Sequence, residues 1–380
     1  MTGAAEPAPG EGEARSAAPE RMTITLVGPR GAGKSTLIAA LPDCVSQGAH
    51  GYPPELRLTL QPIGRGEFEG GHAAASRYEL LESFVSPYER LRETVESGGE
   101  PTSPETPQEY FFRLTPNAET PQEERDHAAF RRNRLNAEDV IDSKKFERAS
   151  REKPASTYSQ RAQEAPRLLE IVDVGGDLAA PEEGRPQLAP VASRVQFATK
   201  LLASDAIVFV LPLVRLEESR WAGSMARLIE RLALSPDRKA KRIVVAWSFY
   251  ERLFVNLGPS AFTYACDPEV AAHVLRRTLA QAPWLDALRE LERKPDVSLR
   301  FCVFSSFGFV KGFQNPNLDP HQPGDRRFSR MDAQRRPSLA EFWRPFLAAD
   351  PILNAALGWD GAFCFSYERL AAAPQGLAVE

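Results

Sequence analysis

The sequence predicts an α/β protein with a doubly wound, mostly parallel sheet and large insertions. Continuous apolar segments such as "LLEIV", "AIVFVLPLV", "RIVVAW" and "SLRFCVF" have the length of strands buried on both faces. Segments with apolar residues at helical spacing separate them. A glycine-rich loop lies between the first apolar strand and a helix. These three features are typical of a parallel sheet covered by helices on both faces.

The elements are expected in the following order. A disordered lead-in covers 1–20, and strands follow at about 22–27, 55–63, 109–116, 167–177, the second half of 197–213, 242–249 and 298–309. Helices are predicted at about 34–42, 76–97, the first half of 197–213, 219–234, 268–293 with a break near Pro283, and 338–357.

The whole succession is interpreted as a single domain over 21–360 rather than two clean domains. The segment 117–165 is highly charged with few apolar residues, so it forms either exposed helices or a disordered insertion, and it serves either as a partner-docking arm or as a solvated excursion. A loop rich in Pro and Arg covers 313–337, and a C-terminal tail covers 361–380.

Composition removes several classes of function. The 380 residues are 42% hydrophobic and 26% charged, as in ordinary globular proteins, and a net charge of −4 gives no electrostatic case for direct nucleic-acid binding. The four cysteines form no C-x-x-C pair, which favours reduced thiols over metal ligands. No apolar run is long enough for a transmembrane segment, and the start of the chain lacks a signal-peptide pattern. We therefore expect a cytoplasmic protein.

Residues 28–36 read "GPRGAGKST" and match the phosphate-binding pattern G-x-x-x-x-G-K-S. Glycines let the backbone wrap a phosphate chain, and the loop amides and the following helix N-terminus point at the anion. Lys34 is expected to bridge the terminal phosphates, and Ser35 to ligate Mg²⁺. The predicted phosphate contacts are Gly28, Pro29, Arg30, Gly31, Ala32, Gly33, Lys34, Ser35 and Thr36.

A second group of candidates follows the strand "LLEIV", where the chain reads Asp173-Val174-Gly175-Gly176. Ligands of doubly wound sheets bind at the carboxyl ends of the strands, so this segment is expected beside the phosphate loop. Asp173 would hold Mg²⁺ directly or through water near Ser35, and Gly176 would bring its backbone N–H towards the terminal phosphate. Read alone, the segment would also suit a simple β-turn.

With "SFYE" and "SSFG" after two later strands, the succession resembles a Ras-like, translation-factor-type GTPase. It is most similar to the bacterial double-GTPase group, through D-x-x-G followed by an acid and the stretch "PTSPETPQEYFFRL". The motifs cover 22–310, and the resemblance implies GTP or GDP and Mg²⁺ as ligands. In the base-recognition motif [NT]-K-x-D, Ser248 replaces Asn or Thr, Phe249 replaces Lys and Glu251 replaces Asp.

The resemblance also implies roles for Glu251, Ser305 and Ser306. Glu251 would accept two hydrogen bonds from guanine, which adenine cannot donate in the same way, or it would be a surface carboxylate. Ser305 and Ser306 would lie against the base, or form a serine-rich turn.

The resemblance further implies a switch threonine, and we assign Thr106 as a metal ligand, with Thr102 as the alternative. Asp177 stands where Ras-like enzymes have the Gln that orients water. Because a carboxylate cannot donate a hydrogen bond to phosphate, slow hydrolysis is predicted. Arg30 either acts as an arginine finger in cis or points outward.

Three functions follow as alternatives. The first is a GTPase switch whose loops a protein partner reads, in a bacterial conflict or signalling system. The second is an ATPase or kinase on the same scaffold, since ATP stays open as the nucleotide. The third is a pseudo-GTPase that binds nucleotide for stability only.

Overall fold

The computed structural model describes residues 19–46, 58–69, 87–96, 106–116, 166–179, 190–213, 220–309, 314–317, 330–331, 337–338 and 345–372. Outside these ranges lie residues 1–18 of the lead-in predicted over 1–20, the alternative switch residue Thr102, the charged insertion, the first part of the helix predicted at 76–97, and most of the Pro- and Arg-rich loop.

The described strands are β1 (Glu20–Val27), β2 (Leu58–Ile63), β3 (Gln108–Pro116), β4 (Arg167–Asp173), β5 (Ala206–Pro212), β6 (Arg242–Ser248), β7 (Ser298–Val303), β8 (Arg330–Met331), β9 (Pro337–Ser338) and β10 (Cys364–Phe365). The described helices are α1 (Lys34–Ser46), α2 (Arg65–Phe68), α3 (Pro87–Glu96), α4 (Gly176–Ala179), α5 (Val191–Ala203), α6 (Ala222–Leu234), α7 (Ala261–Ala265), α8 (Pro268–Ala280), α9 (Leu285–Glu292), α10 (Asp350–Leu357) and α11 (Tyr367–Ala372), with a 3₁₀ stretch over Tyr250–Ser260.

Eight strands form one sheet in the order β10-β7-β6-β5-β1-β4-β3-β2. The five central strands, β4, β1, β5, β6 and β7, are parallel, while β3 and β10 join the two sides antiparallel. All seven residues of β5 are buried, as expected for a strand covered on both faces. The predicted α/β class with a mostly parallel sheet is confirmed.

The helices lie on both faces because the connections run in opposite directions across the sheet. α1 connects β1 to β2 on one side of β1, whereas α5 connects β4 to β5 and α6 connects β5 to β6 on the other side. Right-handed crossovers in opposite directions place their helices on opposite faces. The carboxyl ends of the five parallel strands therefore share one edge, to which the loop after β1 and the residues after β4, β6 and β7 belong.

Two expectations at the C-terminal end differ from the structure. The helix predicted at 338–357 begins only at Asp350, because the backbone at 346 pairs with Ser305 and Pro351 favours the first turn of a helix. The sheet also continues beyond position 360, where we expected the domain to end. β10 pairs with β7 through Cys364 and Phe365, both buried. The break near Pro283 is confirmed by the separate helices α8 and α9.

Candidate functional site

The loop between β1 and α1 depends on its glycines for close approach and for backbone conformation. A Cβ added to Gly28 would lie 2.0 Å from the carbonyl oxygen of Val210 in β5, so no side chain fits there. Gly31 and Gly33 have φ values of 74° and 88°, in the left-handed region that favours glycine. The first turn of α1 follows directly, and the unpaired amides of a helix N-terminus attract anions.

Lys34 is the first residue of α1, and its side chain is buried against the loop. Its Nζ donates hydrogen bonds to the carbonyl oxygens of Gly28 at 2.8 Å and Pro29 at 3.1 Å. Burial lowers the pKa of Lys34, while the charges of Asp173 and Asp177 oppose that shift. The ammonium is thus fixed inside the loop, where a phosphate bound by the amides would meet it.

Ser35, at the start of α1, contacts Asp173, at the end of β4, as the sequence predicts for a metal site. The hydroxyl of Ser35 donates to Oδ2 of Asp173 at 2.6 Å, and Asp173 is fully buried at the end of β4. Oδ1 of Asp173 has no hydrogen-bond partner among the residues that the structure describes. Burial raises the pKa of Asp173, and Lys34 and Ser35 act against that shift.

Gly176 abuts the phosphate loop at backbone distance. A Cβ added there would lie 2.0 Å from the backbone nitrogen of Arg30 and 2.6 Å from the carbonyl carbon of Pro29. The start of α4 and the phosphate loop are therefore packed against each other without an intervening side chain. The side chain of Arg30 is exposed.

Asp177 and Thr106 lie at the same edge of the sheet. Asp177 is exposed in α4, and its charge acts on the buried Lys34. Thr106 is exposed two residues before Gln108, whose Cα pairs with that of Asp173 in the antiparallel β3–β4 ladder. The register thus brings the predicted switch threonine to the carboxyl end of β4.

The residues after β6 also reach the phosphate loop. Ser248 is buried, and its hydroxyl donates to the carbonyl oxygen of Leu211 at 3.3 Å. Phe249 has a left-handed φ of 63°, which is unusual for a bulky residue and costs about 1–3 kcal/mol. Its ring lies 3.8 Å from where a Cβ on Gly33 would be, and the guanidinium of Arg252 lies 4.2 Å from the ring centroid.

The predicted base-recognition residues are enclosed in the protein. Glu251 is 0% exposed, so it is not the surface carboxylate that the sequence left open. Ser305 uses its backbone N–H and carbonyl to pair with Phe346, and its hydroxyl accepts a hydrogen bond from the N–H of Gly308 at 2.6 Å. Ser306 is also buried. Ser305 therefore fits the alternative of a serine-rich turn, because its backbone and hydroxyl groups form hydrogen bonds within the protein.

Two further residues near Asp173 were not found from the sequence. Tyr110 donates its hydroxyl hydrogen to Oε1 of Gln108 at 2.7 Å, and burial together with the charge of Asp173 raises the pKa of Tyr110. Only the register between β3 and β4 shows that Gln108 and Tyr110 neighbour the carboxylate of Asp173. No motif or spacing in the sequence carries that information.

No family model matches this chain, and no curated protein matches it. Similar solved structures include the GTPase-like domain of S. cerevisiae Ski7 bound to GTP, at 10% identity and a TM-score of 0.31, over 82% of this chain and 48% of that chain. The same domain bound to GDP and inorganic phosphate matches at 10% identity and a TM-score of 0.30, over the same shares. The chain thus spans about half the length of the Ski7 domain, 48%.

Another similar structure is the signal recognition particle receptor SRb-GTP/SRX complex from Chaetomium thermophilum, at 13% identity and a TM-score of 0.31. The match covers 77% of this chain and 94% of the chain in that complex. In the part of the chain that the structure describes, no helix has the length and apolar character to cross a membrane.

Proposed function

We propose that this chain binds GTP and GDP with Mg²⁺ and hydrolyses GTP slowly, as a switch whose nucleotide state a protein partner reads. The observation that carries the proposal is the convergence of Lys34, Ser35 and Asp173 at the carboxyl end of β1 and β4. One glycine-bounded loop presents a buried ammonium, and the adjacent strand presents a buried carboxylate hydrogen-bonded to a hydroxyl.

The donor set fits Mg²⁺. Hard cations of this size bind carboxylate and hydroxyl oxygens, and Asp173 offers Oδ1, a buried oxygen to which no described residue donates a hydrogen bond. Ser35 lies within hydrogen-bond distance of the same carboxylate, so the two oxygens can share one cation. Mg²⁺ would neutralise charge on the phosphates. Lys34 would bind the same phosphates from the loop side.

Guanine is proposed as the base because Glu251 follows β6 in the position of a base-recognising acid. Glu251 is fully buried, so a base reaches its carboxylate only after the residues that enclose it move. Nucleotide binding is therefore expected to include opening of the protein around Glu251. ATP remains the competing nucleotide.

Slow hydrolysis is proposed because Asp177, rather than Gln, follows Gly176. The charge of Asp177 acts on Lys34, and the proposal puts Asp177 near the terminal phosphate that Lys34 would bind. A carboxylate at that place repels phosphate oxygens and cannot donate a hydrogen bond to them.

Thr106 is proposed as the switch residue. A role in a bacterial multi-protein conflict or signalling system is also part of the proposal.

Calorimetric titration of the purified chain with GTP, GDP and ATP in the presence of Mg²⁺ tests the proposal. We expect micromolar or tighter affinity for GTP and GDP, and ATP binding weaker by about tenfold or more, about 1.4 kcal/mol. Lys34→Ala is the matched control, and it should weaken triphosphate binding. Equal affinity for ATP would favour an ATPase or kinase, and nucleotide binding without turnover would favour a pseudo-GTPase.

A further inference from the structure

Two cysteines face each other across the last strand pair of the sheet. Cys302 in β7 is the direct partner of Cys364 in the antiparallel ladder between β7 and β10, and Phe301 pairs with Phe365 in the same register. Directly opposite residues in a ladder project from the same face, so both thiols lie on one side of the sheet. The two thiols share a hydrogen bond, and both cysteines are free.

The separation of paired residues in a ladder suits a disulfide. Opposite residues of an antiparallel pair have Cα atoms about 4.5 or about 5.5 Å apart, depending on whether they exchange hydrogen bonds. A disulfide needs Cα atoms about 4.4–6.8 Å apart. Both kinds of pair fall within that range. A bond between the Sγ atoms of Cys302 and Cys364 therefore requires rotation of side chains rather than movement of strands.

An ion pair beside the cysteines holds the segment that carries Cys364 against β7. Arg300, two residues before Cys302, donates to Oδ1 of Asp360 at 2.8 Å and to Oδ2 at 3.1 Å. Asn354 donates to the same Oδ1 at 3.1 Å. A guanidinium that binds both oxygens of a carboxylate fixes orientation as well as distance. Contacts that do not involve sulfur thus set the approach of the two cysteines.

Burial protects the pair while the sheet is closed. Cys302 is 0% exposed and Cys364 is 3% exposed. Burial, together with the neighbouring thiol of Cys364, raises the pKa of Cys302, so little of the reactive thiolate forms there. β10 has only two residues and lies at the edge of the sheet. A short edge strand opens locally at a lower cost than a core strand, and such opening exposes its thiol.

We propose that Cys302 and Cys364 are the site of a reversible disulfide, formed by exchange with a low-molecular-weight disulfide when β10 opens. The thiolate of Cys364 attacks one sulfur of the small disulfide, which gives a mixed disulfide and releases one small thiol. The thiolate of Cys302 then attacks Sγ of Cys364 and displaces the second small thiol. Two protein thiols are oxidised, one small disulfide is reduced, and the two protons end on the released thiols.

The bond would fasten the C-terminal edge strand to the central sheet. It would close a loop of about 60 residues that contains α10, and a cross-link across a loop of that length stabilises a protein largely by restricting its unfolded chain. Oxidation would thus make the fold more resistant to unfolding. The inference is independent of the proposed nucleotide binding and is tested without nucleotide, so the two can fail separately.

The probe is glutathione disulfide, added in excess to the purified full chain under native conditions. The protein is then alkylated in denaturant and mapped by mass spectrometry without reduction. We expect one disulfide, joining Cys302 to Cys364, with the other two of the four cysteines alkylated. Dithiothreitol should restore all four thiols. This measurement uses the unmodified chain, so it does not depend on the folding of any variant.

Thermal melts of the oxidised and reduced forms measure the effect of the bond. The oxidised chain should melt about 3 °C or more above the reduced chain. Cys364→Ala should lose both the disulfide and this difference. The control Cys266→Ala removes the half-buried cysteine just after α7 and should keep both. Each variant is compared with its own reduced form, so a loss of stability caused by the substitution itself does not enter the comparison.

Three results would overturn the inference. The first is the absence of a disulfide between Cys302 and Cys364 after oxidation, including a stable glutathione adduct on either residue. The second is a bond that joins either cysteine to Cys44 or Cys266 in the folded chain. The third is an oxidised chain that melts at or below the temperature of the reduced chain, which would show that the bond strains the sheet instead of fastening it.

Discussion

Close backbone contacts, rather than charges alone, hold the residues of the site in place. Gly28 lies against β5 and Gly176 against the phosphate loop, and both positions leave no space for a Cβ. A methyl group at either glycine would displace main-chain atoms, because the neighbouring atoms belong to the backbone. Phe249 adds a third constraint, since its left-handed backbone sets its ring beside Gly33.

Gly176→Ala is therefore expected to disturb nucleotide binding more than the size of the change suggests. The added Cβ would lie 2.0 Å from the nitrogen of Arg30, so the phosphate loop or α4 must shift. We expect about 1–3 kcal/mol lower stability from overpacking and at least about tenfold weaker GTP binding. Urea unfolding and calorimetry measure the two effects.

The control for this variant is Gly66→Ala, in α2. Apart from its chain neighbours and the backbone of its own helix, no atom of the described residues lies within 4 Å of a Cβ at Gly66, which is in a helix. Alanine there should leave nucleotide affinity unchanged and stability unchanged or higher by up to about 1 kcal/mol. If Gly176→Ala behaved like Gly66→Ala, the contact between α4 and the phosphate loop would be unimportant for binding.

The substitution Asp177→Gln tests whether the absence of glutamine at position 177 slows GTP hydrolysis. The substitution removes a charge that acts on Lys34 and introduces an amide that can donate to phosphate. We expect GTP to bind about threefold more tightly from the loss of repulsion at an exposed position, and single-turnover hydrolysis to accelerate by about tenfold or more.

Asp177→Ala separates the two effects of that substitution. It removes the charge without adding a donor, so it should share the gain in affinity and not the gain in rate. Unchanged turnover in Asp177→Gln would mean that position 177 does not contact the attacking water.

At the scale of secondary-structure elements, α10 is attached to the sheet through its carboxyl end. Arg242 donates to the carbonyl oxygens of Ala355 at 3.0 Å and Ala356 at 2.8 Å, and Arg167 also donates to Ala356. These arginines stand at the starts of β6 and β4. They supply donors to carbonyls that have no partner within the helix and place positive charge at its carboxyl end.

Arg242→Ala should accordingly destabilise the fold by about 1–3 kcal/mol, because the carbonyl oxygens of the buried Ala355 and Ala356 each lose a hydrogen bond. The midpoint of urea unfolding measures the change. Arg277→Ala, on the exposed side of α8, is the matched control and should change stability by less than about 0.5 kcal/mol. Equal effects from the two substitutions would show that the cap of α10 contributes little.

The sequence predicts elements well where local signals suffice. β5 and β6 are continuous apolar runs, and the phosphate loop is a local pattern, so both follow from the sequence alone. The antiparallel pairing of β3 with β4 does not, because it depends on register between distant segments. Gln108 and Tyr110 were missed for that reason. The backbone pairing of Ser305 with Phe346 likewise joins segments that lie 41 residues apart in the chain.

At the scale of the whole molecule, α4 lies between the carboxyl edge of the sheet and a groove between α5 and α6. Gly176 at the start of α4 touches the phosphate loop, and Leu178 and Ala179 line the groove. A nucleotide at the loop would contact this short helix, so α4 connects the proposed nucleotide site with the groove.

The central claim is that Asp173 and Ser35 hold a cation beside the phosphates bound by Lys34. Calorimetry of GTP binding in Mg²⁺ and in EDTA, for the unmodified chain and for Asp173→Asn, tests it most directly. We expect Mg²⁺ to tighten GTP binding by about tenfold or more in the unmodified chain and to have little effect in Asp173→Asn. GTP affinity that is independent of Mg²⁺ in the unmodified chain, or an undiminished Mg²⁺ effect in the variant, would contradict the account.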